Sequence, residues 1–156
     1  MEENEYKNTY NAINQLRCVF EKAILSRGCD CVLSTRFCLA DREGVSCNSA
    51  RAQNTCHSLL KRLRENALFA LKITHLNGPL PHAKEIRVQR GGVLGLLRTL
   101  HPELAAVTEV ENIRAVVVET LDRYGSLDEL PYPEIVKAVV SFEGHRKRFR
   151  PHPDKS

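Results

Sequence analysis

All six cysteines of this 156-residue chain lie within residues 18–57, which read CVFEKAILSRGCDCVLSTRFCLADREGVSCNSARAQNTCH. They stand at Cys18, Cys29, Cys31, Cys38, Cys47 and Cys56, and the last hundred residues contain none. Confinement of every cysteine to one part of the chain indicates a shared site. A metal or cluster, a disulfide framework and a reactive thiol site are the three kinds of site that gather cysteines in this way.

The length and the N-terminal sequence favour a cytoplasmic protein whose thiols stay reduced. A chain of 156 residues has the size of one domain and can bury a core without covalent staples. Residues 1–7, MEENEYK, are acidic and polar and no apolar stretch follows them, so we expect neither a secretory signal nor contact with a membrane. Clustered cysteines in the cytoplasm are more often metal ligands or redox groups than structural bridges.

The apolar pattern predicts a mainly α-helical fold. Helical spacing predicts a first helix at about residues 5–26 and a long second helix from about residue 48, with a cysteine-rich loop over 27–47 between them. Capping patterns and stop signals predict later helices over residues 92–100, from residue 108 to Gly125, and from Pro133 to Phe142. Alternation at 85–89 predicts a short strand. The expected architecture is a single compact helical domain of about five helices over residues 1–144, with one short strand or hairpin.

The cysteine spacing favours an iron–sulfur cluster over zinc. Structural zinc sites usually have two to four residues between neighbouring ligands, and this chain contains no Cys-x-x-Cys. It has Cys29-x-Cys31 and then gaps of six, eight and eight residues. Loops of that length supply single ligands from separate directions, and a cluster takes four cysteines around a wider perimeter than one ion. We therefore expect a cluster of the 4Fe-4S type, with zinc and a metal-free loop as alternatives.

The favoured ligands are the four cysteines that belong to the loop, because loop residues can converge on one point: Cys29, Cys31, Cys38 and Cys47. Cys56 and Cys18 are held in reserve. Cys56 shares an apolar helix face with Leu59 and Leu60, where a free cysteine packs as a small hydrophobe. Cys18 has the same ambiguity at the end of the first predicted helix.

Two other features point away from catalysis. Residues 89–95, QRGGVLG, place glycines before a predicted helix, where a phosphate can bind, but the Walker lysine and the dinucleotide fingerprint are absent. A tight turn with close helix packing accounts for these glycines better. The six histidines carry no local signature of a cysteine–histidine nucleophile pair, so an enzyme is not favoured.

The C-terminal segment is basic. Residues 145–156, HRKRFRPHPDKS, carry five Lys/Arg against one Asp and predict a disordered tail. Such a tail can contact nucleic-acid phosphates or an acidic protein, although a solvated terminus is the favoured interpretation. The overall expectation is a small cytoplasmic iron–sulfur protein that senses redox state or passes electrons to a protein partner. The alternative is a zinc-stabilised interaction or nucleic-acid-binding module that uses the tail.

Overall fold

The computed structural model describes residues 2–71 and 80–142. Over these residues the chain forms six α-helices and one antiparallel hairpin: α1 (Glu3–Ile13), α2 (Glu21–Leu25), β1 (Ser34–Leu39), β2 (Arg42–Cys47), α3 (Ala50–Ala70), α4 (His82–Leu100), α5 (Ile113–Tyr124) and α6 (Tyr132–Ser141). Single 3₁₀ turns at Pro102–Leu104 and Leu127–Glu129 precede α5 and α6. The predicted fold class, a mainly helical domain with one short hairpin, is confirmed.

Helices α3, α4 and α6 form the centre of the domain. Two glycines let α4 lie directly against α6, since a Cβ at Gly95 would lie 2.5 Å from the carbonyl oxygen of Ile135 and one at Gly91 would lie 2.7 Å from the Cα of Val139. The close helix packing predicted from the glycine run is therefore confirmed. The tight turn is wrong, because these glycines lie inside a helix.

Residues 85–89 are helical, so the short strand predicted there is wrong. The helical period is concealed in the sequence because two buried positions are polar. Glu85 accepts hydrogen bonds from Nε and Nη2 of Arg64 at 3.0 and 2.8 Å, and Gln89 accepts the backbone N–H of Ala23 at 3.0 Å. The helix predicted after this strand is the second half of α4.

The first predicted helix is in fact two, α1 and α2, with a non-helical segment over residues 14–20 between them. This segment runs beside β2. The backbone N–H of Cys18 donates to the carbonyl oxygen of Val45 at 3.0 Å, and the backbone N–H of Cys47 donates to that of Leu16 at 2.8 Å. Because these partners are distant in sequence, the local apolar spacing could not reveal them.

The predicted cysteine-rich loop contains the hairpin. β1 pairs with β2 in antiparallel register, with Cys38 opposite Glu43, so only residues 27–33 remain a loop. That loop is attached to the segment before α5, because the backbone N–H of Asp30 donates to the carbonyl oxygen of Val110 at 3.0 Å. The two-stranded hairpin thus occupies most of the stretch in which the sequence shows no helical period.

Several predicted helix ends are confirmed. The Oγ of Ser49 accepts the backbone N–H of Ala52 at 3.1 Å, so Ser49 caps α3 as expected. Gly125, at φ 87°, ends α5, a conformation that glycine adopts without strain. The capping box expected at Thr108 does not open α5, which begins at Ile113.

The predicted basic tail, residues 145–156, lies outside the described residues. In the part of the chain that is described, no helix has the length and apolar character needed to span a bilayer.

Candidate cysteine site

Four of the six cysteines line one small cavity: Cys18, Cys31, Cys47 and Cys56. Each comes from a different part of the fold. Cys18 precedes α2, Cys31 precedes β1, Cys47 ends β2 and Cys56 lies in the first half of α3. The cavity measures about 20 Å³, which is room for about one water molecule. Residues far apart in sequence therefore line the same cavity.

Strand β2 positions two of these cysteines. Residues Arg17 and Ser46 form an antiparallel bridge, which sets Cys18 beside the end of the strand. The Sγ of Cys47 lies 3.3 Å from the carbonyl oxygen of Ser49, to which it donates as a thiol. The pairing of the backbone therefore brings these cysteines to the same end of β2.

A tight turn at the surface positions Cys31. The carbonyl oxygen of Cys31 accepts two hydrogen bonds from Ser34, one from its backbone N–H at 3.1 Å and one from its hydroxyl at 2.8 Å. Its own N–H donates to Oδ1 of Asp30 at 2.8 Å, and the N–H of Val32 donates to Oδ1 of Asn112 at 3.0 Å. These hydrogen bonds fix the backbone at Cys31, which lines the cavity.

The rest of the cavity wall is apolar apart from a few groups. Apolar side chains of four elements contribute to it: Val19, Phe20, Leu33, Ala52 and Ile113. Arg114 on α5 is also a lining residue, its charge reaches Cys56, and no carboxylate of the described residues lies within ion-pair distance of its guanidinium. The positive charge of Arg114 therefore acts on the cysteine site.

The surroundings of the cavity disfavour free thiolates. Burial, with a smaller effect of Cys31 and Cys47, raises the pKa of Cys18 and of Cys56 to about 12. The charge of Arg114 lowers the pKa of Cys56 without offsetting the burial. Thiols of such high pKa are protonated at neutral pH and are poor nucleophiles, so Cys18 and Cys56 are not activated as nucleophiles.

Cys29 and Cys38, both favoured from sequence, do not line this cavity. Cys29 is buried in a bridge with Val110, and burial raises its pKa to about 12 although Arg90 lowers it. Cys38 is exposed on β1. Their role as ligands stays a prediction that their positions do not favour. The cavity instead joins two favoured cysteines, Cys31 and Cys47, with the two held in reserve.

The sequence predicts the position of one reserve cysteine, Cys56, but not that of the other, Cys18. Cys56 lies one turn before Leu59 on α3, a fully buried residue, so the apolar period of that helix already predicts an inward face for it. His57, the next residue, is exposed as its position on the helix predicts. Cys18 carries no local signal, because its place depends on the pairing of residues 16–18 with β2.

Among residues 2–71 and 80–142, no group of three or more His, Cys, Asp or Glu side chains could hold a metal ion as it stands. The cavity that the four cysteines line has the volume of about one water molecule. The fold alone does not assign a function to such a site. Comparisons of this chain with protein-family models, with curated proteins and with solved structures found no match.

Proposed function

We propose that this chain binds an iron–sulfur cluster of the 4Fe-4S type through Cys18, Cys31, Cys47 and Cys56. The cluster serves to sense redox state or to pass electrons to a protein partner. One observation carries the proposal: four cysteines from four separate parts of the fold line a single apolar cavity. Four cysteine thiolates are the usual ligands of such a cluster, and an apolar surround is one of the levers that set its potential.

The proposal accounts for the electrostatics of the cavity. Thiolates alone are unfavourable there, because burial raises the pKa of Cys18 and Cys56 to about 12. Iron in direct contact with sulfur supplies the positive charge that makes deprotonation favourable. A 4Fe-4S cluster with four thiolates keeps a net negative charge, which is partly offset by the positive charge of Arg114, since that charge is near enough to lower the pKa of Cys56.

Cluster binding requires the cavity to widen. A volume of about 20 Å³ is too small for four irons and four sulfides. The turn at residues 30–33 is the part of the wall that can move at least cost, because Val32 is 69% exposed and hydrogen bonds, not buried side chains, hold the turn. We expect this turn to shift outward when the cluster binds, and the remaining three cysteines to stay in place.

The test is anaerobic purification of the full chain, followed by an absorption spectrum and assays of iron and acid-labile sulfide. The expected result is a brown protein whose visible absorbance bleaches in air, with about four irons and four sulfides per chain. A colourless protein with stoichiometric zinc would replace the cluster with a zinc-stabilised interaction module. A metal-free protein with disulfides among the four cysteines would overturn metal binding altogether.

A redox titration of the purified protein separates the two proposed roles from a structural one. A cluster that senses redox state or transfers electrons should be reduced and reoxidised reversibly without loss of iron. A cluster that cannot be cycled, and whose removal unfolds the chain, would contradict both roles and leave the cluster as a structural element.

A further inference from the structure

A larger cleft lies on the other side of Cys18. It has a volume of about 520 Å³ and opens between α3, the start of α4 and the segment that leads into α2. Cys18, Val19 and Gln53 line both this cleft and the cysteine cavity. The cleft falls within the range of about 300–1,000 Å³ that is usual for small-molecule sites.

The two carboxylates in this cleft are already neutralised by the protein. Glu21 forms an ion pair with Arg17 at 2.8 Å and also accepts the backbone N–H of Val45 at 2.7 Å. Glu85 forms an ion pair with Arg64 at 2.8 Å. Each carboxylate is buried, and each is matched by one arginine. These pairs therefore add no net charge to the cleft.

One cation of the cleft has no such partner. Lys22 is half-buried at the cleft wall, and its charge contributes to lowering the pKa of Glu85. Within the part of the chain that the structure describes, no carboxylate lies within ion-pair distance of its Nζ. With the two arginine–carboxylate pairs cancelled, Lys22 leaves the cleft with one excess positive charge.

The rest of the cleft wall combines apolar side chains with one histidine. Val19, Leu60 and Leu80 line it, and the last two are buried. His57 lies at the rim, where its ring is exposed. A site with an apolar floor and a single unmatched cation suits a ligand with an apolar body and one anionic end.

We propose that this cleft binds a small organic oxyanion, a carboxylate or a phosphate ester with a short apolar body. Its anionic group pairs with Lys22, and its apolar body lies against Val19, Leu60 and Leu80. Because Cys18 belongs to both walls, the ligand lies beside one of the four clustered cysteines. The proposal does not rest on the iron–sulfur cluster, since it uses only charges and surfaces outside the cysteine cavity.

The test is an NMR titration of the ¹⁵N-labelled full chain with four matched probes: butyrate, butyl phosphate, butanol and butylammonium. Butyrate or butyl phosphate is expected to shift the amide signals of residues 17–22, 53 and 57, with a Kd of about 1 mM. Comparison of these two tells a carboxylate from a phosphate ligand. Butanol and butylammonium should bind at least about tenfold more weakly.

Substitutions then locate the anion. Lys22→Gln is expected to weaken binding by about tenfold, and Lys22→Arg should retain it because the charge is kept. Lys61→Gln is the matched control, since Lys61 is exposed and lines a different depression. Iron content should be the same in all three variants, so failure of the cleft is distinguishable from failure of the cluster.

Several results would overturn the proposal. One is the absence of binding by both anions, and a second is butylammonium binding as tightly as butyrate. A third is affinity that Lys22→Gln leaves unchanged while the variant keeps the circular dichroism spectrum of the parent. Signal shifts that are confined to residues outside the cleft would do the same.

Discussion

The backbone N–H of Cys18 donates to the carbonyl oxygen of Val45 at 3.0 Å. This bond attaches the segment before α2 to β2, two residues before Cys47. The bond therefore brings Cys18 to the end of β2, where Cys47 also lies. Because it joins backbone groups, it sets the position of Cys18 whether or not anything is bound at the thiols.

Serine substitutions should separate the ligands from the other cysteines. Replacing Cys18, Cys31, Cys47 or Cys56 by Ser is expected to remove most of the iron, because a hydroxyl is a poor substitute for a thiolate ligand. Cys38→Ser is the control and should retain full iron, since Cys38 is exposed on β1. The measurement is iron and sulfide per chain after anaerobic reconstitution. Loss of iron in Cys38→Ser together with retention in Cys56→Ser would restore the loop set predicted from sequence.

The cysteines of the metal-free protein should differ widely in reactivity. Cys38 is exposed, whereas burial raises the pKa of Cys18, Cys29 and Cys56 to about 12. Because the thiolate is the reactive form, iodoacetamide at pH 7.5 should label Cys38 at least about tenfold faster than the other three. Peptide mass spectrometry over a time course measures the order. Equal rates at Cys38 and Cys18 would contradict the buried, protonated state described for the cavity.

Gly95→Ala should destabilise the fold. At an exposed helix position, alanine stabilises the helix by about 1 kcal/mol relative to glycine. At residue 95, however, the new Cβ would lie 2.5 Å from the carbonyl oxygen of Ile135. Forcing α4 and α6 apart is expected to lower the free energy of unfolding by about 1–3 kcal/mol. Urea denaturation measures it, with Lys137→Ala at an exposed position of α6 as the control. A urea midpoint of Gly95→Ala above that of the parent would contradict the prediction and show that α4 and α6 can move apart at little cost.

The Glu85 carboxylate should make the fold sensitive to acid. Burial raises the pKa of Glu85, but hydrogen bonds from Arg64 and Gln89 and the charge of Arg64 outweigh it, so the folded-state pKa lies below the usual 4.5. A lowered pKa stabilises the fold at pH values above that of the unfolded chain, and this stabilisation is lost as the pH falls through the folded-state value. The melting temperature of the metal-free protein should therefore fall between pH 5 and pH 3.

Two variants test the source of that pH dependence. Glu85→Gln should be less stable at pH 7, because the ion pair of the buried Glu85 carboxylate with Arg64 is lost, and its melting temperature should depend less on pH. Glu134→Gln, at an exposed pair with Lys137, should leave the dependence as it is in the parent. If the curves of Glu85→Gln and the parent run parallel from pH 5 to pH 3, Glu85 is not the titrating group.

The sequence by itself determined the helical class of this protein and several helix ends. Leu59, Leu60 and Leu63 recur at helical spacing and are buried on α3, and Gly125 ends α5. These features depend on local periods and on turn residues, which each segment carries within itself. The confinement of the cysteines to one stretch is likewise a property of the amino-acid order alone.

Only the tertiary structure decided which cysteines meet. Cys18 reaches the cavity because residues 16–18 pair with β2, and Cys38 misses it because β1 carries it to the exposed end of the hairpin. The buried Glu85 interrupts the apolar pattern of the first half of α4, so that half was not predicted as a helix. The burial of this carboxylate likewise depends on Arg64 from another helix. Such contacts join residues that are distant in the chain. The apolar periodicity of one segment carries no information about a partner in another segment.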